Sequence, residues 1–169
     1  MIGVSWSDGL RADALLADPV PKLDLKNLGG KSFQWSDFQG NVVLLNFWAT
    51  WCPPCLEELP SLEALNHSMK SKPFSLVAIS VDKEEGVVRK FLAELSRPLT
   101  FLVLLDPSGE SARRFGTDKF PESYLIGNDG RLIKKYVGAL DWMSPKILDE
   151  IDQEISKAGK KSKSPPKSQ

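Results

Sequence analysis

Cysteine and histidine are scarce in this chain, which has two cysteines and one histidine among its 169 residues. Both cysteines, Cys52 and Cys55, lie in one short motif, so none remains for a structural disulfide elsewhere. A structural zinc ion needs four ligands, and two thiolates with His67 supply only three. We therefore predict no metal site.

The chain also lacks an apolar run long enough to cross a membrane. Its first residues show neither the positive segment nor the apolar segment of a signal peptide. The protein is then either cytosolic, or its export signal or anchor is not part of this sequence.

Charge of one sign is not in excess, since 22 basic residues balance 22 acidic ones. The segment 157–169, however, holds five lysines and no acidic residue, which leaves residues 1–156 with a net charge of −5. An acidic body disfavours nucleic-acid binding. We interpret the basic segment as a solvated, disordered tail, with contact to anionic lipid or an acidic partner as the alternative.

The length favours a single domain with its own core. We assign residues 1–20 to a lead-in, 21–156 to the domain and 157–169 to the tail, and expect a monomer. Strand and helix patterns alternate through the middle of the domain, which predicts an α/β fold with a parallel core. The predicted strands are 42–48, 74–81 and 101–105, a hairpin lies on each side of them at 23–35 and 124–137, and the predicted helices are 56–70, 84–95, 108–115 and one that begins at Ser144. In the helix 84–95 the predicted apolar side is Val87, Phe91 and Leu95.

The sequence Trp51-Cys52-Pro53-Pro54-Cys55 lies where the central predicted strand gives way to a helix. A two-residue spacer at a helix start brings two thiols within disulfide range, and the helix dipole favours a thiolate at the first. Cys52 is thus the predicted attacking sulfur and Cys55 the resolving one, with this pair as the redox centre and no other cofactor. An inert bridge is the alternative, although so short a loop would add little stability.

Glu58 falls on the same helical face as Cys55, Leu59 and Leu62, whereas Glu57 and His67 project to the opposite side. A carboxyl group held among apolar side chains has a raised pKa and exchanges protons nearer neutral pH. We therefore predict that Glu58 takes the proton of Cys55, the alternative being an exposed surface glutamate.

The segment Asn46–Cys55 closely resembles the active-site segment of the thioredoxin superfamily, and of its TlpA/ResA/CcmG-like branch in particular. The resemblance continues through Glu58 and Pro60 and resumes at Phe120-Pro121 and the strand after it. It implies a thioredoxin-like fold with an N-terminal β-hairpin, one extra strand–helix unit and a central mixed sheet flanked by helices. Thioredoxin has a buried aspartate where this chain has Asn46, so the acid has moved to Glu58.

The resemblance further implies that Pro121 is a cis-proline facing the cysteines and that Phe120 bonds substrate through its backbone. With Trp51, Pro53 and Pro54, these two residues form the expected substrate-binding surface. The branch implies a thiol–disulfide oxidoreductase in the periplasm or on the outer membrane surface, often tethered to a membrane. The expected partners are an oxidised protein such as apocytochrome c and a membrane or periplasmic thiol as electron donor.

Two other functions stay open at this point. A peroxiredoxin shares the fold, but its peroxide-reducing cysteine needs a threonine one turn earlier, and Thr50 is only two positions before Cys52. A binding module with an unused cysteine pair is the third possibility.

Overall fold

The computed structural model describes residues 20–161 and contains a seven-stranded mixed sheet with the strand order β2-β1-β5-β4-β3-β6-β7. Most of the predicted lead-in and residues 162–169 of the predicted tail lie outside the described residues. Within residues 20–161, no helix is both long and apolar enough to cross a bilayer. The strands are β1 Leu25–Asn27, β2 Ser32–Phe33, β3 Val42–Trp48, β4 Phe74–Ser80, β5 Leu102–Leu105, β6 Glu122–Ile126 and β7 Leu132–Val137, and the helices are α1 Pro53–Ser68, α2 Glu85–Glu94, α3 Glu110–Arg114 and α4 Pro145–Lys161, with a 3-10 helix at Trp35–Phe38.

Strand β3 is an interior strand of the sheet, between β4 and β6, and is buried along its whole length. Its side chains alternate between two apolar cores, because successive residues of a strand point to opposite faces. Val42, Leu44 and Trp48 join the core beneath α1, α2 and α4, while Val43 and Phe47 join the core on the other face. The nearly continuous apolar run of this segment predicts a strand that is covered on both faces, and the structure confirms that prediction.

The predicted α/β architecture is confirmed. Strands β3, β4 and β5 are parallel, β6 and β7 form the antiparallel closing hairpin, and β1 and β2 form the N-terminal hairpin that pairs with β5. Two strand–helix units, β4 with α2 and β5 with α3, lie between α1 and Pro121 in the chain, in agreement with the predicted extra unit.

Helix α2 corrects one expectation. Val87, which was placed on the apolar side, is 45% exposed, whereas its neighbour Val88 is fully buried in the core. Phe91 and Leu92 pack against the same core. The buried face therefore keeps Phe91 but is rotated about the helix axis by about 50° from the predicted one, toward Val88 and Leu92.

Helix α4 corrects a second expectation, the boundary of the tail. The helix continues to Lys161, so the first five residues of the predicted disordered tail are helical. Ala158 is buried, because this end of the helix still packs on the body. The Lys157 side chain pairs with Glu154 of the same helix.

Candidate active site

The two cysteines lie at the start of α1, directly after β3 ends. Cys52 is the N-cap residue of the helix, and Pro53 and Pro54 occupy its first turn, where the missing proline N–H groups cost no helical hydrogen bond. Cys52 and Cys55 form a disulfide with a Cα–Cα distance of 5.3 Å. The Cys55 N–H donates to Cys52 Sγ over 3.4 Å, so a helix-terminal amide points at the predicted attacking sulfur.

The turn before Cys52 is held by the buried carboxylate of Asp82. Thr50 donates to Asp82 twice, from its backbone N–H over 3.0 Å and from its hydroxyl over 2.6 Å. Ser80 at the end of β4 donates a third hydrogen bond to the same carboxylate, over 2.7 Å. These bonds fix the turn that presents Trp51 and Cys52, because β3 and β4 end side by side as parallel neighbours.

Glu58 is buried one helical turn beyond Cys55, with only 2% of its surface exposed. Asn46 Nδ2 donates to its Oε1 over 2.7 Å, while the Trp142 indole N–H and the Leu140 backbone N–H donate to its Oε2 over 2.9 and 3.2 Å. Burial raises the pKa of the Glu58 carboxyl, and these three donors only partly oppose that rise. The predicted inward orientation of Glu58 is confirmed, and Glu57 and His67 are exposed as expected.

The peptide bond between Phe120 and Pro121 is cis, as the resemblance implied. The Pro121 carbonyl accepts a hydrogen bond from the Gly138 N–H over 2.9 Å, which ties the start of β6 to the end of β7. Trp51 is 63% exposed, and its ring meets that of Phe120 edge-on at a centroid distance of 5.9 Å. Pro53 and Pro54 are exposed beside them on the first turn of α1. An apolar surface therefore adjoins the cysteine pair.

The structure brings the predicted residues to one end of β3, but four participants were missed. Asp82, Ser123, Leu140 and Trp142 all contact predicted or adjacent site residues from distant parts of the sequence. Of these four residues, Trp142 is the one that the sequence could best have identified as a contact of the site. A tryptophan in the loop before the last helix carries a large apolar surface and one N–H donor, and buried tryptophans usually find an acceptor.

Two cysteines joined as a disulfide across a two-residue spacer at a helix N-terminus, on a sheet of this topology, are the arrangement of a thiol–disulfide oxidoreductase with a thioredoxin-like fold, and the protein is of this class. Comparisons with known proteins agree. The Redoxin family profile matches residues 15–151. The thiol-disulfide oxidoreductase ResA of Bacillus thuringiensis subsp. konkukian is 35% identical over 119 residues, which cover 70% of this chain and 68% of that protein.

Solved structures give the same result. A thiol:disulfide interchange protein DsbE from Chlorobium tepidum is 34% identical, with a TM-score of 0.71 over 83% of this chain and 95% of the other. The exposed lipoprotein thioredoxin Etrx1 of Streptococcus pneumoniae is 25% identical, with a TM-score of 0.69 over 79% of this chain and 99% of the other. The chain therefore belongs to the Redoxin family, and within the thioredoxin superfamily it is a TlpA/ResA-like protein.

Proposed function

We propose that this oxidoreductase reduces disulfides of other proteins outside the cytoplasm, with Cys52 as the nucleophile and Cys55 as the resolving thiol. The observation that carries the proposal is the position of Cys52 as N-cap of α1, with the Cys55 N–H directed at its sulfur. That environment favours a thiolate at Cys52, and the thiolate is the species that attacks a disulfide.

The proposed reaction has two steps and uses the sulfur pair without another cofactor. The Cys52 thiolate attacks one sulfur of the substrate disulfide, a mixed disulfide forms, and the other substrate sulfur leaves as a thiolate. Cys55 then gives its proton to Glu58, attacks Cys52 Sγ and releases the second substrate sulfur as a thiolate. Two electrons pass from the dithiol to the substrate, and Cys52 and Cys55 end as a disulfide.

Reduction is the proposed direction because Glu58 is a buried carboxyl one helical turn from the pair. A negative charge at that place works against a second negative charge on sulfur. Strong oxidants gain their potential from a strongly stabilised thiolate in the reduced form. An ionised Glu58 would offset part of the stabilisation that the helix N-terminus gives the Cys52 thiolate, which favours a reducing pair.

The proposed substrate-binding surface comprises Trp51, Pro53, Pro54, Phe120 and Pro121. The exposed Trp51 and the half-buried Phe120 offer apolar contacts beside Cys52, as a polypeptide substrate requires. An oxidised protein such as apocytochrome c fits this surface, with a membrane or periplasmic thiol as the electron donor. The extracytoplasmic location, with or without a membrane anchor, and the monomeric state belong to the same proposal, and the lipoprotein nature of Etrx1 supports the location.

A thiol peroxidase receives less support. The Thr50 hydroxyl, which would have to assist the peroxide-reducing cysteine, instead donates to Asp82 over 2.6 Å.

The equilibrium potential of the Cys52–Cys55 pair, measured against dithiothreitol and glutathione buffers, tests the direction of electron flow. We expect a potential close to that of thioredoxin, about −270 mV, and a value near −120 mV would reverse the proposal. Cys55→Ser should accumulate a mixed disulfide with an oxidised polypeptide, whereas Cys52→Ser should form none. A mixed disulfide that forms equally well with Cys52→Ser would contradict the assigned roles.

Glu58→Gln tests the proton step. We expect resolution of the mixed disulfide to slow by about 10²-fold near neutral pH, because general-base assistance is lost. Glu57→Gln, an exposed carboxyl one position earlier, is the matched control. Equal rates in the Glu58→Gln variant and the unmodified protein would remove Glu58 from the mechanism.

A further inference from the structure

The two oxygens of the Glu58 carboxyl are bound unequally. Each carboxylate oxygen offers two lone-pair sites. Oε2 receives two donors, the Trp142 indole N–H and the Leu140 backbone N–H, whereas Oε1 receives only Asn46 Nδ2. Both donors on Oε2 are groups that cannot accept a hydrogen bond. The free site of this carboxyl is therefore on Oε1.

Trp142 is itself held firmly in place. Its side chain is fully buried, and its ring packs edge-on against Tyr136 at a centroid distance of 5.3 Å. Its backbone N–H donates to Ser61 Oγ over 3.3 Å, and Ser61 also donates to the Glu58 and Leu140 carbonyl oxygens. Because Ser61 lies on α1 with Glu58, the tryptophan is anchored to the helix whose carboxyl it binds.

We propose that Trp142 is a positioning residue that keeps Glu58 Oε2 as an acceptor, so that the proton exchanged with Cys55 resides on Oε1. The inference rests on the proposed function, in which Glu58 accepts that proton. In the step concerned, the Cys55 S–H bond breaks, a Glu58 Oε1–H bond forms, and the sulfur is left as the thiolate that attacks Cys52. Trp142 accepts no proton and takes no part in the bond changes at either sulfur.

Few other titratable groups on the surrounding elements face this carboxyl. On α1, Cys55 lies one turn away, and Glu57 points to solvent. Strands β3 and β6 contribute the neutral Asn46 and Ser123, which are hydrogen-bonded to each other. Glu122 of β6 points to the opposite face and pairs with Lys135, Asp141 is exposed and binds the Met143 N–H, and the Tyr136 hydroxyl donates to Glu150.

The indole N–H supports the ionised form of Glu58, because a donor to a carboxylate lowers its pKa. Removing that N–H should therefore raise the pH at which Glu58 loses its proton. It should also change the hydrogen bonding of the carbonyl oxygen in the protonated acid. If the proton is on Oε1, the carbonyl oxygen is Oε2, which is the atom that Trp142 contacts.

The test replaces the Trp142 indole by benzothiophene, an isosteric ring in which sulfur stands for the N–H, in the oxidised 169-residue protein. We expect the Glu58 titration midpoint, followed by carboxyl ¹³C NMR, to rise by about one pH unit. The infrared C=O band of protonated Glu58 should move to higher frequency, since its carbonyl oxygen loses one of two donors. Glu58→Gln identifies both signals.

Trp48 provides a matched control. It is fully buried on the same face of the sheet, and its indole N–H has no hydrogen-bond partner among residues 20–161. The same ring replacement at Trp48 should leave the Glu58 midpoint and the C=O band unchanged. A second variant, Trp142→Phe, should reproduce the upward shift of the midpoint, with near-ultraviolet circular dichroism reporting whether the fold is intact.

An unchanged midpoint in a folded benzothiophene variant would overturn the proposal, as would equal shifts at Trp142 and Trp48. A raised midpoint with an unmoved C=O band would place the proton on Oε2 and overturn it as well. Because these readouts need no turnover, they are independent of the activity. Failure of the proposed function would appear instead as an unchanged resolution rate in the Glu58→Gln variant.

Discussion

The Glu58 carboxyl contributes to stability in a pH-dependent way, because burial raises its pKa above the ordinary value of a glutamate. A carboxyl with a raised pKa in the folded state holds its proton more tightly there than in the unfolded chain. Its contribution is therefore fully present below the unfolded pKa and is lost as the pH rises through the folded pKa.

The first prediction compares the unmodified protein with the Glu58→Gln variant. We expect the free energy of unfolding of the variant, minus that of the unmodified protein, to increase as the pH rises from about 4. The gain should level off above the folded pKa of Glu58. Urea denaturation at a series of pH values measures it, and Glu57→Gln, an exposed carboxyl, should give a flat difference. A difference that falls with pH would mean that the pKa is lowered instead.

Asp82 is a second residue whose role depends on its neighbours, since it holds the turn that carries Cys52. We predict that Asp82→Ala lowers the free energy of unfolding by about 3 kcal/mol, because it removes a buried charged acceptor and leaves three donors without their partner. Chemical denaturation of the oxidised protein measures the loss. The exposed neighbour Lys83 provides the control, and Lys83→Ala should stay within about 0.5 kcal/mol. A similarly small effect at Asp82 would show that the turn is stable without the Asp82 carboxylate.

At the scale of elements, α1 joins the chemistry to the core. Its first turn carries the cysteines, and its buried side also carries Glu58, Leu59, Leu62 and Leu65. Packing of that side against the core fixes the rotation of the helix about its axis. The sulfur pair and the carboxyl are thereby set at fixed positions relative to β3.

Helix α2 offers the sharpest test of packing, because it has two adjacent valines with opposite exposure. We predict that Val88→Ala costs about 2 kcal/mol in the free energy of unfolding, since it opens space in a fully packed core. Val87→Ala should change the stability by less than about 0.5 kcal/mol, because Val87 is 45% exposed. Denaturant titrations of the two variants decide the matter. Equal costs would mean that α2 does not present the face described above.

At the scale of the whole molecule, the catalytic disulfide contributes little to holding the fold. The cross-link closes a loop of only four residues, whereas two apolar cores occupy the faces of the sheet. In the chain-entropy account, so short a loop is worth at most about 2 kcal/mol.

We therefore predict that the protein stays folded when the Cys52–Cys55 disulfide is reduced. The free energy of unfolding should fall by no more than about 2 kcal/mol, as measured by denaturation with and without dithiothreitol. The Cys52→Ser, Cys55→Ser double variant should match the reduced protein and be insensitive to the reductant. Loss of the native circular dichroism spectrum on reduction would contradict the prediction and make the bridge structural.

The sequence determined much of this protein, because the decisive signals were local. The apolar run of β3, the glycine turn between β6 and β7, and the cysteines beside two prolines depend on neighbouring residues alone. The inward direction of Glu58 also followed from helical spacing, since Cys55 and Leu59 share its face.

Only the tertiary structure decided which side chains surround these residues. Trp142 reaches Glu58 across 84 positions and Asp82 reaches Thr50 across 32, and no spacing rule links residues so far apart. The choice between Val87 and Val88, by contrast, did lie in the sequence. Val88 follows the i, i+3, i+4 spacing of a buried helical face with Phe91 and Leu92, whereas Val87 shares that face only in part.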